Sequence, residues 1–358
     1  MSEFPTRPDD VTPDWVTERL RAAGALERGQ VETIAWEAIG TGQVGDSVRF
    51  SLTYSGDQGP PSLAGKFPAA DPMSRGTAAA FGLYAKEVAF YRELAPLLEI
   101  RVPRIFAAEV DASGSEFVLL FEDMGPCRQG NQLESCSRDD ARHAIRQAAA
   151  VHAPSWNRPD IVDRPWLAMA PEAMAQIKGL YPQAHAVFAE RYADRLEPEL
   201  MAVCAQLNDA IEPWFDREAG DRCLIHGDFR LDNMLFDVGG GAEPIAVLDW
   251  QTVAVGNGLT DIGYFLGCGI GDALRQEAEG ELLRLYCEEM TERGVPMSLD
   301  GIMDFYRLGA LHGVSTAVFS SAFVERTERG DANFLSMARG ACALALQHRS
   351  IDVLTGRG

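Results

Sequence analysis

The sequence predicts an α+β fold in which an antiparallel sheet with one helix precedes a larger, mainly helical part. Two observations support this prediction. Short stretches of alternating apolar residues, bounded by turn residues, recur over the first third of the chain. After Gly125, apolar residues recur at helical spacing, and only residues 223–248 return to short strands. We therefore predict two domains, residues 1–124 and residues 125–358.

The first domain is expected to begin with a helix at 17–26 and to continue as a sheet, because the segments that follow alternate or are bounded by turn residues. The predicted strands are 31–39, 48–54, 63–67, 104–110 and 116–121. A single helix is predicted at 81–95, and it ends before Pro96, which cannot continue a helix.

In the second domain, apolar residues recur at helical spacing on both sides of a central segment of short strands. The predicted helices are 137–152, 171–195, 197–215, 273–293, 301–323 and 332–354. The predicted strands of the centre are 223–225, 233–236 and 245–248. The glycine-rich segment 237–241 between the last two indicates a hairpin.

Composition excludes several classes of function. The chain has 358 residues, with 32 Lys and Arg against 53 Asp and Glu, a formal net charge of −21. Such a charge repels phosphate backbones, so we expect neither nucleic acid nor an anionic membrane as a partner. No apolar stretch approaches the length of about 20 residues that a membrane helix needs. The N-terminus lacks the pattern of a signal peptide, and seven scattered cysteines without a CxxC pair predict reduced thiols in the cytoplasm.

The strongest chemical signal is the run Leu-Ile-His-Gly-Asp-Phe-Arg-Leu-Asp-Asn-Met-Leu-Phe at 224–236. A buried strand is predicted to end at His226, with Asp228 on the following loop and Asn233 entering the next strand. Asp249 ends the strand after that, so the hairpin would bring both carboxylates and the amide to one end of adjacent strands. Such oxygen donors suit Mg²⁺, and one acid can stay off the metal and act as a base. This constellation predicts phosphoryl transfer.

The pattern His226-x-Asp228-x-x-x-x-Asn233 with a strand-end Asp249 resembles the catalytic core of the aminoglycoside phosphotransferase and choline kinase-like superfamily. The length and the helical insert are most similar to its branch of ecdysteroid kinase-like and unassigned bacterial phosphotransferases. The resemblance implies a two-lobed, protein-kinase-like fold, with a small sheet lobe and a large helical lobe. It also implies ATP and Mg²⁺ as cofactors.

The same resemblance implies a role for each residue of the motif. Asp228 would orient and deprotonate the acceptor hydroxyl, and Asn233 and Asp249 would hold Mg²⁺ against the phosphates of ATP. Arg230 stands where related kinases often carry a basic residue near the transferring phosphate, and the alternative is a plain surface arginine. His226 would be a scaffold residue of the loop.

Three more residues are expected to support this loop. His152 and Trp156 are similar to packing residues of the superfamily, and we expect them beneath the loop. Asp261 matches an acid that braces the loop through backbone hydrogen bonds, although it could also be an ordinary acid in the first turn of a helix.

Lys66 matches the strand lysine that contacts the α- and β-phosphates, and Glu87 matches the helix acid that pairs with it. A lysine in a half-buried strand needs a counter-ion, which a mid-helix glutamate can supply. Glu93, the other acid of this helix, would lie about 120° round the helix from Glu87, so we expect it at the surface.

The glycines Gly40-x-Gly42-x-x-Gly45 could form a dinucleotide fingerprint, a turn, or a hairpin lid over phosphates. The alternating strand that follows favours the lid, because a dinucleotide fingerprint requires a helix there. Asp46 departs from the protein-kinase pattern, so Ser47 is the better candidate for a phosphate contact through its hydroxyl and N–H.

The segment Phe-Val-Leu-Leu-Phe-Glu-Asp-Met-Gly at 117–125 resembles the hinge between the two lobes. Adenine would then be bound by backbone groups, the carbonyl of Glu122 and the N–H of Met124.

The predicted function is transfer of the γ-phosphate of ATP to a hydroxyl of a small molecule by a monomer or homodimer. The acceptor class stays open among aminoglycosides, choline-like alcohols, steroid-like alcohols and hydroxyacyl-CoA. Gly227, in place of a loop arginine, and the short segment 252–261 argue against a protein kinase. The main alternative is a catalytically silent nucleotide sensor or scaffold, and a further alternative is nucleotide transfer.

Overall fold

The computed structural model describes residues 4–40, 45–218, 220–324 and 326–357. Within these ranges the strands are β1 (Gln30–Ile39), β2 (Gly45–Ser55), β3 (Ser62–Pro68), β4 (Ile105–Val110), β5 (Phe117–Glu122), β6 (Arg128–Gln129), β7 (Cys223–Ile225), β8 (Met234–Asp237), β9 (Glu243–Val247) and β10 (Ala254–Gly256). The helices in the same ranges are α1 (Pro13–Ala22), α2 (Pro72–Ala80), α3 (Leu83–Ala89), α4 (Arg138–Ser155), α5 (Pro159–Val162), α6 (Pro171–Tyr192), α7 (Pro198–Asp209), α8 (Ile211–Asp216), α9 (Val238–Gly241), α10 (Leu259–Tyr264), α11 (Asp272–Glu292), α12 (Leu299–Phe323), α13 (Glu328–Gln347) and α14 (Ser350–Leu354). The α+β prediction is confirmed.

The chain forms two compact units. The first unit comprises Met1–Leu97, Arg101–Cys127 and Asp237–Thr252, and the second comprises Leu98–Ile100, Arg128–Phe236 and Val253–Gly358. The predicted domain limits, 1–124 and 125–358, stay a prediction.

The first unit contains a five-stranded antiparallel sheet with the strand order β1-β2-β3-β5-β4. Its core lies on one face, because alternate residues of β2, namely Val48, Phe50 and Leu52, are buried. Leu63 on β3 and Leu120 on β5 join the same apolar cluster. Period-two alternation therefore placed β2 to within a few residues, whereas β5 is an apolar strand buried along almost its whole length.

The helix predicted at 81–95 corresponds to α3 and the wide π-helical turn Phe90–Leu94 that continues it. The separate helix α2, which precedes this range, was not predicted. Asp71 caps α2 by accepting a hydrogen bond from the N–H of Ser74 at 2.7 Å, a start signal that the prediction overlooked. Gly82, with φ of 66°, then separates the two helices.

In the second unit, two helices cross so closely that their backbones are in contact. A Cβ at Gly309 on α12 would lie 2.1 Å from the carbonyl oxygen of Leu259 on α10, and a Cβ at Gly263 would lie 2.4 Å from the backbone of Gly309. Only glycine fits at this crossing. A helix opening near Asp261 was expected without stated limits, and α10 is that helix; its residues Asp261 and Tyr264 matter for the site.

Other helix limits also differ from the predictions. The helix predicted at 197–215 is divided into α7 and α8 at Ala210, and the helix predicted at 332–354 is divided at Arg349, which has φ of 53°. The strand predicted at 223–225 is confirmed as β7, which pairs antiparallel with β10. In the part of the chain that the structure describes, no helix is both long and apolar enough to cross a membrane.

Candidate active site

Lys66 is the centre of an ionic group in the first unit. It lies on β3, opposite Ser47 on β2 and Leu119 on β5. Its Nζ atom lies 2.7 and 3.0 Å from the carboxylate oxygens of Glu87 on α3, and 2.9 Å from Oδ1 of Asp249. The ion pair predicted between Lys66 and Glu87 is present, whereas the contact with Asp249 was not predicted. We call these three residues the lysine cluster.

Burial sets the electrostatics of the lysine cluster. The side chain of Glu87 is only 1% exposed. Burial raises the pKa of Glu87, and the nearby Lys66 ammonium opposes that rise. Burial alone would lower the pKa of Lys66, but the charges of Asp249 and Glu87 raise it above its ordinary value. Lys66 therefore stays charged, with two carboxylates around one ammonium.

Aromatic packing supports the same cluster. The ring of Phe90 stacks on that of Trp250, with centroids 3.9 Å apart and planes within 3°. Both side chains are fully buried, which anchors the residue that follows Asp249 in the chain. Glu93 is exposed, as predicted.

The glycine-rich segment leads into β2. Gly42 lies outside the described residues. Gly45 begins β2, and a Cβ there would lie 3.3 Å from Cε of Lys66, so a larger residue would crowd the lysine. The carboxylate of Asp46 accepts a hydrogen bond from the N–H of Ala70 at 3.0 Å. Because a strand follows the glycines, the dinucleotide-fingerprint alternative is excluded.

The predicted hinge residues lie at the end of β5 and just beyond it. The carboxylate of Glu122 accepts hydrogen bonds from the guanidinium of Arg101 at 3.0 and 3.2 Å and from the N–H of Arg104 at 3.0 Å. Met124 is buried, and its carbonyl accepts a hydrogen bond from the N–H of Gly239 at 3.1 Å. Adenine binding by Glu122 and Met124 stays a prediction.

Asp228 is the centre of a second group, in the second unit. Its Oδ1 accepts a hydrogen bond from the hydroxyl of Tyr264 at 2.7 Å, and its Oδ2 accepts one from Nδ2 of Asn233 at 2.8 Å. Nε of Arg230 lies 2.9 Å from Oδ1 and 3.0 Å from Oδ2. The structure thus brings together Asp228, Arg230 and Asn233, as the motif predicts, and adds Tyr264. We call these four residues the aspartate cluster.

One of its members, Asn233, differs from the sequence prediction, and for Arg230 the structure argues against one of the two alternatives. Asn233 ends a 3₁₀ turn, Leu231–Asn233, instead of beginning a strand, and its Nδ2 also donates to the carbonyl of Asp228 at 2.8 Å. Arg230 is only 22% exposed and also donates to Gln132 at 3.1 Å and to Asp232 at 3.2 Å. This network argues against a plain surface arginine.

Asp228 is held in its ionised form. Burial disfavours its charge, but Arg230 and Tyr264 lower the pKa of Asp228 to about 2. Burial and the neighbouring Asp228 raise the pKa of the Tyr264 hydroxyl well above its usual value, so it remains a donor. A carboxylate with so low a pKa is a weak base, and at neutral pH it acts mainly as a hydrogen-bond acceptor.

The loop that carries Asp228 is braced by Asp261, as predicted. Asp261 is fully buried, and its carboxylate accepts hydrogen bonds from the N–H of His226 at 2.6 Å and of Gly227 at 3.0 Å. Nε2 of the buried His152 lies 3.3 Å from the same carboxylate. Nδ1 of His226 accepts the N–H of Asp228 at 3.2 Å, which agrees with its predicted scaffold role.

Tyr264, Gln132 and His312 were not predicted from the sequence. Tyr264 follows Asp261 by three residues, which places both on one face of α10, and this spacing could have indicated it. Nε2 of His312 lies 2.8 Å from the carbonyl oxygen of Gly227, 85 residues away in sequence, and no local pattern signals that contact.

Asp249 and Asn233 were predicted to bind Mg²⁺, and the donor chemistry of each residue, taken by itself, suits that ion. The carboxylate of Asp249 is 31% exposed, and the amide nitrogen of Asn233 is engaged by Asp228, which leaves the amide oxygen for a cation. Both oxygens are hard donors of the type that Mg²⁺ prefers. Within the described ranges, no group of three or more His, Cys, Asp or Glu side chains is arranged to hold a metal ion.

The model of a family described as the phosphotransferase enzyme family matches residues 74–295, more than half of the chain. Among curated proteins, "Acyl-CoA dehydrogenase family member 11" of Rattus norvegicus is 32% identical over 132 residues, covering 31% of this chain and 16% of that protein. "Acyl-CoA dehydrogenase family member 10" of Mus musculus is 49% identical over 41 residues, covering 12% and 4%. The match therefore spans only a small part of these relatives.

Two solved structures have the same fold. Choline kinase from Cryptosporidium parvum has a TM-score of 0.56 at 12% identity, covering 90% of this chain and 91% of its own. A microcompartment-associated aminopropanol kinase has a TM-score of 0.54 at 17% identity, covering 95% and 99%. These likenesses confirm the predicted kinase-like fold, and the family match confirms the predicted class of enzyme. The chain belongs to the phosphotransferase enzyme family.

Proposed function

We propose that this protein transfers the γ-phosphate of ATP to a hydroxyl group of a small molecule. The observation that carries the proposal is the Asp228 carboxylate, both of whose oxygens accept hydrogen bonds. It lies on a loop braced by Asp261, in a chain of the phosphotransferase enzyme family. In this reaction positioning and charge neutralisation do most of the work, and no covalent enzyme intermediate is needed.

Asp228 orients the acceptor hydroxyl by accepting its hydrogen bond. The hydroxyl oxygen then forms a bond to the γ-phosphorus, the bond from that phosphorus to the bridging oxygen breaks, and ADP leaves. The hydroxyl proton passes to Asp228. Because the pKa of Asp228 is about 2, this transfer comes late, when the new bond to phosphorus has made the hydroxyl acidic.

An incoming hydroxyl can donate a hydrogen bond to Asp228 only if one of the three present donors moves away. Arg230 is the donor best able to do so. Tyr264 and Asn233 are buried, whereas Arg230 is 22% exposed and already contacts two other acceptors, Gln132 and Asp232. We infer that Arg230 moves from Asp228 when the acceptor binds and then faces the transferring phosphate.

The nucleotide would be bound by residues of the first unit. The Lys66 ammonium is suited to the α- and β-phosphates, with Glu87 as its buried partner. Gly42, Gly45 and Ser47 would contact the phosphates, while the backbones of Glu122 and Met124 would bind adenine. Asp249 and Asn233 are each proposed as ligands of Mg²⁺, which would neutralise phosphate charge when bound.

The acceptor classes to test are aminoglycosides, choline-like alcohols, steroid-like alcohols and hydroxyacyl-CoA. The relatives named as acyl-CoA dehydrogenase family members contain a segment similar to this chain, which places hydroxyacyl-CoA first in the panel. We further infer a cytoplasmic protein, because each of the seven cysteines, all in the described part, is a free thiol. That it is a monomer or homodimer stays a prediction.

The test is an ADP-release assay with Mg²⁺ and ATP over this acceptor panel. Asp228→Ala should lower the turnover of an active acceptor by about 10²–10⁴-fold. Asp160→Ala is the control, since that carboxylate lies exposed on the surface of the same unit. Wild-type turnover by Asp228→Ala would remove the proposed role of Asp228.

Nucleotide binding separates the enzyme from its main alternative. Binding of ATP without turnover of any acceptor would favour a nucleotide sensor, and no binding at all would exclude both. Asp249→Asn should weaken the binding of ATP in the presence of Mg²⁺ more than in its absence. Equal effects with and without Mg²⁺ would contradict the assignment of Asp249 as a metal ligand.

A further inference from the structure

Tyr264 contacts the proposed catalytic carboxylate without having a role in the function proposed above. Its side chain is fully buried, and its hydroxyl donates to Oδ1 of Asp228 at 2.7 Å. A tyrosine hydroxyl that can stay protonated beside a carboxylate is a fixed neutral donor. The contact is thus a permanent part of the aspartate cluster.

The donors of Asp228 fall into two kinds. Tyr264 and Asn233 are buried and uncharged, and each serves a different carboxylate oxygen. Arg230 is partly exposed, and its Nε lies within 3.0 Å of both oxygens. One neutral donor on each oxygen fixes the rotation of the carboxylate about its Cβ–Cγ bond, and this constraint would persist if Arg230 left.

The position of Tyr264 is itself fixed by backbone packing. It follows Gly263, where α10 crosses α12 at Gly309 with no room for a Cβ. One turn earlier, Asp261 accepts two backbone N–H groups of the loop that carries Asp228. The single helix α10 therefore holds both the backbone of this loop, through Asp261, and its carboxylate, through Tyr264.

A second element links Tyr264 to the loop. The ring of His312 on α12 meets the ring of Tyr264 edge to face, with centroids 5.2 Å apart. Nε2 of the same histidine lies 2.8 Å from the carbonyl oxygen of Gly227. The loop, α10 and α12 thus form one connected support around Asp228.

We propose that Tyr264 is a positioning residue, which fixes the orientation of the Asp228 carboxylate toward the acceptor hydroxyl. The inference rests on the proposed function, since it assigns Asp228 the contact with the acceptor. Tyr264 acts through Asp228 and does not itself touch the reacting atoms. Its loss should therefore reduce the rate of the chemical step and leave ATP binding unchanged.

The test compares Tyr264→Phe with Tyr306→Phe. Tyr306 is the matched control, because its hydroxyl also donates to a buried carboxylate, that of Glu279, at 2.7 Å. Both variants should lose similar thermal stability. Only Tyr264→Phe should lower kcat, by about 10-fold, with the KM for ATP within about twofold of wild type, as expected for an interaction made in the transition state.

Asp228→Asn, alone and combined with Tyr264→Phe, distinguishes failure of the positioning role of Tyr264 from failure of the proposed function. Tyr264→Phe should cause no further loss of rate in the Asp228→Asn background, since its effect passes through the carboxylate. Equal kcat values for Tyr264→Phe and Tyr306→Phe, with Asp228→Asn strongly impaired, would overturn the role of Tyr264 alone. Wild-type turnover by Asp228→Asn would overturn the proposed function, and the inference with it.

Discussion

The lysine cluster of the first unit and the aspartate cluster of the second are organised in opposite ways. In the first, one ammonium is shared by two carboxylates. In the second, one carboxylate is shared by three donors, two of which are neutral. The lysine cluster therefore depends on ionic attraction in a buried place, whereas much of the aspartate cluster depends on hydrogen bonds.

Each cluster nevertheless combines buried partners with one more exposed partner. Glu87 is 1% exposed and Asp249 is 31% exposed around Lys66. Tyr264 is fully buried and Arg230 is 22% exposed around Asp228. The buried partner contacts the central group away from solvent, and under the proposed function the more exposed partner is the one that a ligand would displace. Variants of the two kinds should accordingly have different consequences.

The largest expected effect on stability comes from Lys66→Met. Removing one member of a buried ion pair leaves an uncompensated charge and costs about 3–5 kcal/mol of unfolding free energy. The measurement is urea unfolding of wild type and variant at pH 5 and pH 8. The loss should be greater at pH 8.

The direction of this pH dependence follows from Glu87. Burial raises the pKa of Glu87, so the folded protein holds that proton to higher pH than the unfolded chain does. The stability associated with the proton is present below the unfolded pKa, about 4.3, and is lost as pH rises through the folded value. Without the Lys66 ammonium the pKa of Glu87 should rise further, which deepens the loss at pH 8.

Lys178→Met is the matched control. Its ammonium also contacts two carboxylates, those of Glu212 and Asp216, but these are 69% and 64% exposed. Exposed pairs contribute about 0–1 kcal/mol, so this variant should change little at either pH. If the two lysine variants lost equal stability, the contrast between buried and exposed partners would be wrong.

The second prediction concerns the brace of the aspartate cluster. Asp261→Asn replaces one carboxylate oxygen by an amide nitrogen, which cannot accept a backbone N–H. A buried donor left without an acceptor costs about 1–3 kcal/mol. The thermal midpoint should fall at pH 7, and turnover should fall with it because the loop of Asp228 loses a fixed point.

The destabilisation caused by Asp261→Asn should also grow with rising pH, but over a lower pH range than that of Lys66→Met. Although burial opposes its charge, His152 and His226 lower the pKa of Asp261. Its contribution is present above the unfolded pKa, about 3.9, and is lost as pH falls through the lower folded value. The gap in thermal midpoint between wild type and variant should narrow below about pH 4, and a constant gap would contradict the assignment.

Contacts between residues close together in the sequence were predicted, whereas a contact between residues far apart was not. Asp228, Arg230 and Asn233 lie within six residues, so the motif alone brings them together. The pair of Lys66 and Glu87 was found because a buried strand lysine demands a nearby acid. The contact of Lys66 with Asp249 joins residues 183 positions apart, and no local rule signals it.

In the fold, too, features set by local sequence were predicted, and features set by tertiary packing were missed. The strand β2 was placed well, because buried residues alternate with more exposed ones over its central part. Tyr264 was missed because its position depends on α10 meeting α12 at Gly263 and Gly309. That crossing is a property of tertiary packing, and the short helix α10 has too few residues for a helical period to be evident.

The smallest expected effect distinguishes a buried partner from its exposed neighbour on the same segment. Glu93→Gln should change the unfolding free energy by no more than about 0.5 kcal/mol, because Glu93 is exposed. Glu87→Gln should cost about 1.5–3 kcal/mol, the range for a hydrogen bond to a charged group, since Lys66 keeps Asp249 as a partner. At pH 8, above the raised pKa of Glu87, each variant neutralises one carboxylate, so urea unfolding at that pH compares burial at equal charge. Equal losses would mean that net charge, and not the buried pair, governs this part of the first unit.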